Sequence, residues 1–174
     1  MAKKFSKLIS TALALTVGAI SLVCPASADG RFSSLLDFSD KLTLDEETEV
    51  REYLTETAND IDCNIGVLIV EELNGEFVED YAQEQMESVF GEDSDAAMLV
   101  LCTGSEGADC ILTDGKGGEL FPSDVDKGLA LVDITAAKSA GGYSSACTAF
   151  ADELKAQAET ADGERGNPDI SDLK

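Results

Sequence analysis

The sequence predicts an α/β fold, a sandwich of helices around a mostly parallel central sheet with one hairpin. Two unbroken apolar runs, Ile65 to Val70 and Met98 to Leu101, read as strands buried on both faces. Residues with helical apolar spacing precede and separate them, and a third run, Cys110 to Thr113, returns after a Gly-rich loop. A helical crossover between two buried strands makes them parallel, and by rule right-handed.

The chain opens on a segment that stands outside this fold. Lys3, Lys4 and Lys7 lead into the apolar stretch Leu8 to Val23, and Ala26-Ser27-Ala28 closes it with small residues in an Ala-x-Ala arrangement. Residues 1–28 therefore read as a secretory signal peptide. A membrane anchor would need a longer clean apolar run, and lipidation at Cys24 would want a smaller residue than Val23 before it. No second apolar span follows, so the mature protein is expected to be secreted or extracytoplasmic, with no membrane span. Cleavage removes three lysines and no acid, so the formal charge moves from −23 to −26.

Residues 29–158 form one expected domain. Leu35 to Leu42 is short and mixed, an entry segment. Thr43-Leu44-Asp45-Glu46 is a capping box, and Val50, Leu54, Thr57 and Ile61 make one helical stripe behind it. After the first strand and the turn signal Asn74-Gly75, a second helix carries Val78, Tyr81, Ala82, Met86, Val89 and Phe90 inward and ends at Gly91. Asp114 to Gly118 reads as a loop. Pro122-Ser123 opens a helix through Val125, Leu129 and Val132. Gly141-Gly142 breaks it before a last helix that turns Cys147, Phe150, Ala151 and Leu154 inward. Residues 159–174 lose apolar periodicity and read as a mobile acidic tail.

Composition excludes several functions. Without a single histidine, a Ser-His-Asp hydrolase, a Cys-His protease and a His-ligated zinc site are impossible. The acid excess, 35 Asp and Glu against 12 Lys and Arg, repels nucleic acid and anionic lipid, and favours cations as partners. Four cysteines survive cleavage, and in an exported chain an even count favours disulfides, with three pairings available. A hairpin could bring Cys102 to Cys110, leaving Cys63 with Cys147. Free buried thiols are the alternative, and zinc lacks the short paired spacings it would want.

The chemistry-bearing candidates are clustered acids. Asp37 and Asp40 lie in the entry segment, and Asp93 and Asp95 approach the second strand. Calcium takes six to eight oxygen ligands from separate loops, so these four aspartates could hold Ca2+ or Mg2+. A solvated acidic loop is the competing reading. Asp93-x-Asp95 precedes a strand, the wrong place for a dehalogenase-type nucleophile, and Gly115-Lys116-Gly117 lacks the spacing of a P-loop.

Four stretches, in order, resemble the TPM domain family. They are Leu35 to Thr43, the run Asn64 to Leu73 with Gly75 and Val78 to Ala82, then Asp95 to Leu101, and finally Ile111 to Gly117 with Gly142-Tyr143 and Phe150 to Asp152. Ala96 stands where the family has glycine after the aspartate, and Gly107 to Cys110 replaces charged and aromatic residues in the hairpin. The resemblance implies a Rossmann-like α/β/α sandwich, divalent-metal binding in some members and an acid-phosphatase activity in the plant branch. It matches Asp37, Asp40 and Asp95 to family acids, while Asp93 is added by proximity. Two functions are expected in competition: an exported cation-binding or protein-docking module, and a metal-dependent acid phosphatase acting on phosphomonoesters. The absent general acid and the repulsion of a dianionic substrate favour the first.

Overall fold

The computed structural model describes residues 30–71, 73, 77–104 and 108–165, with side chains as far as position 161. The expected leader, the end of the chain beyond 165 and the turn at Asn74-Gly75 lie outside the described residues. Among these residues no helix is long and apolar enough to cross a membrane.

Four strands form one sheet in the order β1-β2-β3-β4. β1 (Ser33–Asp37), β2 (Asn64–Val70) and β3 (Ala96–Cys102) run parallel, and β4 (Cys110–Asp114) returns antiparallel on β3. β1 occupies what reads as an irregular entry segment. Only Leu35 and Leu36 are apolar in it, and as an edge strand it is formed by pairing with β2 rather than by its own pattern.

α1 (Leu44–Asp60) begins at the expected capping box. The Glu46 N–H donates to Thr43 Oγ1 at 3.3 Å and the Thr43 N–H donates to Glu46 Oε2 at 2.8 Å. α1 buries Val50, Leu54 and Ala58 against the face of the sheet made by Leu35, Val67, Ile69 and Leu99. α2 (Val78–Phe90) buries Val78, Ala82 and Met86 against the opposite face, made by Leu68, Val70, Met98 and Val100.

That placement overturns one expectation. β1, β2 and β3 follow one another across the sheet while α1 and α2 cover opposite faces. The two crossovers therefore have opposite hands, and one of them is left-handed against the usual rule. The right-handed rule acts through strand twist and helix packing, and here packing of the second arm of α4 beside α1 occupies one face.

The expected loop at Asp114 to Gly118 contains a short helix, α3 (Lys116–Leu120). Its glycines hide it from propensity. Gly117 fits so closely on β3 that a Cβ there would come within 2.0 Å of the Ala96 carbonyl oxygen. α4 (Asp124–Arg165) is two helical arms meeting at Gly142, whose φ of 81° only glycine adopts readily. Its start is a second reciprocal cap, with Ser123 Oγ and the Asp126 carboxylate bonding each other's backbone N–H. The second arm buries Cys147, Phe150, Ala151 and Leu154 as expected, and it stays helical past Glu159, where a tail was expected. The first arm is helical through Val125, Leu129 and Val132 as expected, but these three face solvent while Ala130 and Ile134 face the core.

Candidate functional site at the carboxyl edge of the sheet

In an open α/β sheet, ligands bind outside the carboxyl ends of strands where successive connections leave toward opposite faces. Here that point falls between β1, which feeds α1 on one face, and β2, which feeds α2 on the other. Asp37 ends β1. Its Oδ1 accepts the Ser39 N–H at 3.0 Å, and its Oδ2 accepts those of Lys41 and Leu42 at 2.7 and 2.8 Å. Three inward N–H groups hold the β1–α1 loop and leave the carboxylate about one of its four acceptor directions.

Asp40, at the tip of this loop, is exposed and held at φ 49°. Ser39 Oγ beside it is buried without a hydrogen-bond partner, and so is Thr103 Oγ1 at the end of β3. The two flank the end of β2: the Phe38 N–H donates to the Ile69 carbonyl at 2.9 Å, and the Thr103 N–H to the Val70 carbonyl at 2.7 Å. Past β3, Asp109 accepts the Cys102 N–H at 2.9 Å and pairs with Lys138, whose ammonium sits 5.7 Å from the Tyr143 ring centroid.

The amino edge of the sheet is a different place with different chemistry. Asp95 precedes β3, and its carboxylate takes Arg31 Nη2 at 3.2 Å and the Lys116 backbone N–H at 3.0 Å. Arg31 Nε reaches Asp62 at 2.5 Å, and Lys116 Nζ also pairs with Asp62. The Arg31 hydrogen bond, then that of Lys116, holds the Asp62 carboxyl well below the usual carboxylate range, and Asp62 in turn raises Arg31. This network clamps the segment before β1, the α1–β2 turn, the entry to β3 and the start of α3 together.

The four expected metal ligands are therefore not one site. Asp37 is in register with Ile69, whereas the carbonyl of Asp95 accepts the N–H of Asn64 at the other end of β2. Five residues of strand separate those levels, roughly 16 Å at ~3.3 Å per residue. Asp93, at φ 54°, lies with Asp95 at the amino edge, and Asp40 with Asp37 at the carboxyl edge. Among the described residues no group of three or more His, Cys, Asp or Glu is placed to hold a metal ion. Sequence adjacency to buried strands pointed to both pairs, but not to the fact that one precedes its strand and the other ends one.

The expected disulfides are likewise absent, and Cys63, Cys102, Cys110 and Cys147 are free and buried. Cys110 is in register with Val100, so Cys102 lies two residues further along β3 and only diagonal to it. Diagonal neighbours stand about 7–8 Å apart at Cα, beyond comfortable bridging. Burial pushes Cys63, Cys110 and Cys147 up to about 12, with the carboxylates of Asp95, Glu79 and Asp37 respectively adding to it. Ser39, Thr103, Arg31 and Asp62 were not legible as site residues. The scarcity of cations in the chain is the one signal that could have marked Arg31.

An open four-stranded sheet, three strands parallel, with helices on both faces, defines a Rossmann-like α/β domain. The chain belongs to the TPM domain family, whose profile matches residues 35–157. Three solved structures share the fold. The N-terminal domain of protein cg2496 from Corynebacterium glutamicum is 12% identical with a TM-score of 0.57, covering 78% of this chain and 84% of that one. An N-terminal domain from P. gingivalis is 16% identical with a TM-score of 0.56, covering 75% and 82%. The BA42 protein of the psychrophilic bacterium Bizionia argentinensis is 14% identical with a TM-score of 0.59, covering 72% and 86%. No curated protein matches the sequence.

Proposed function

We propose that this TPM domain is an exported binding module that takes a divalent cation, calcium in preference to magnesium, at the carboxyl edge of its sheet, and there presents a surface to an extracytoplasmic protein partner. Among the described residues three buried hydroxyls lack a partner, Ser94 Oγ at the amino edge and Ser39 Oγ and Thr103 Oγ1 at the carboxyl edge, and the observation that carries the reading is that the latter two flank the end of β2 together, beside Asp37 and Asp40. Buried polar atoms without partners are rare and want a ligand or water. Hydroxyl, carboxylate, backbone carbonyl and water oxygens are the donors that a hard cation selects. Asp93 and Asp95 leave the ligand set, since Asp95 is committed to Arg31 and Lys116. The net charge of −23 further favours a cation over a phosphomonoester.

Millimolar calcium is expected to raise the melting temperature of the wild type. Asp40→Asn, which keeps a residue at ease with φ 49°, is expected to abolish most of the rise, and Asp93→Asn to preserve it. No rise in the wild type, or an equal rise in Asp40→Asn, defeats the site. Calcium-dependent hydrolysis of an aryl phosphate that Asp40→Asn removes would instead favour the phosphatase reading.

A further inference from the structure

The first arm of α4 presents its larger apolar side chains to water. Val125, Leu129 and Val132 are 69%, 63% and 65% exposed, while the arm covers the core with Ala130 and Ile134. The three recur at i, i+4 and i+7, and exposed Ala136 continues the series four residues on. That alternation of four and three is the spacing of a helix-pairing seam. The outward stripe from Val125 to Ala140 carries no charged residue over roughly 22 Å of helix, in a chain that is 27% charged. Contiguous apolar faces of this kind mark interaction sites.

Gly128 lies within the stripe. It is exposed in mid-helix, where glycine is a poor former, and a Cβ there would meet nothing within 4 Å. Nothing inside the protein requires it. Helical periodicity sets Asp124 along one border of the stripe and Asp126 and Asp133 along the other. The arm's two lysines turn away, with Lys127 half-buried and Lys138 paired to Asp109.

We propose that this face docks an α-helix of a partner protein whose own apolar four-three repeat is bordered by lysine or arginine. The seam spacing fixes a helical occupant, and Gly128 lets its backbone approach closely. The acidic borders fix the sign of its charge. A second copy of this chain would set acid against acid, and an anionic lipid surface would meet the same repulsion. The site is separate from the carboxyl-edge site and does not depend on a cation there.

The test uses the full chain and a synthetic amphipathic peptide of about three heptads, with leucine at the seam positions and lysine at their borders. A counterpart carries glutamate in place of lysine. Fluorescence anisotropy is expected to show saturable binding of the lysine peptide that weakens at high salt, and none of the glutamate peptide. Leu129→Asn with Val132→Asn, both at exposed positions, is expected to weaken binding by about tenfold or more with thermal unfolding unchanged. Gly128→Ala is expected to raise the melting temperature and weaken binding together. Equal affinity in the double variant, preference for the glutamate peptide, or a concentration-dependent dimer that the double variant abolishes overturns the proposal. A Gly128→Ala variant that binds as well as wild type overturns the close helix approach.

Discussion

Gly117 and Gly118 are neighbours in one short helix with opposite environments. A Cβ on Gly117 would press on the Ala96 carbonyl at 2.0 Å, backbone against backbone, while one on Gly118 would meet nothing within 4 Å. Gly117→Ala is predicted to destabilise by about 2 kcal/mol or more, since neither partner can swing away. Gly118→Ala is predicted to be neutral or to stabilise by up to ~1 kcal/mol through helix propensity. Urea-unfolding midpoints of the two variants check the contrast, and equal midpoints would refute the close contact. The Asp114-Gly115-Lys116-Gly117 turn, which reads in sequence as a loop, is thus a fitted joint. Its small residues serve packing, a distinction that residue type alone does not carry.

The clamp at the amino edge joins four elements through Arg31, Asp62, Asp95 and Lys116. Asp62 is depressed in the fold, so the stability it adds is fully present above the ordinary carboxylate pKa near 4 and is lost as pH falls below that toward its folded value. Asp62→Asn is predicted to flatten the acid limb of a stability-against-pH curve while leaving it unchanged in form above pH ~6. The effect is modest because Asp62 is well exposed and salt screens it. Parallel acid limbs for variant and wild type would show that the clamp adds nothing. Elements with strong local signals were legible: both buried strands, the capped start of α1, the break at Gly142 and the inward face of the second α4 arm. β1 and α3 were not. Their residues have weak intrinsic preference, and tertiary pairing and close glycine packing decide them. The first arm of α4 was legible as a helix but not in its facing, because an apolar stripe does not say whether it meets this protein's own core or another's.

For the whole molecule, fold class was legible from the alternation of buried strands and amphipathic helices, and the layer order followed. The site was half legible. Asp37 and Asp40 stand out in the sequence, but which end of the sheet an aspartate occupies depends on strand direction, and the unpartnered hydroxyls of Ser39 and Thr103 have no sequence signature. Register adds a further consequence. Ser33 pairs with Ile65 and Asn64 with Ala96, each 32 residues apart, whereas Val100 and Cys110 pair across only 10. The two oppositely handed crossovers thus close loops of equal length and carry equal entropic cost, but the β3–β4 hairpin closes the shorter loop first and offers β2 a ready strand to pair with, which leaves β1 for last. Ile111→Val is accordingly predicted to slow refolding, and Leu35→Ala on the far edge mainly to hasten unfolding, in stopped-flow chevrons. The reverse pattern would mean that the sheet is not built outward from its antiparallel edge. With that order, β1 and the loop that Asp37 holds beyond it are the last part of the sheet to assemble, and the first to open when the chain lets go.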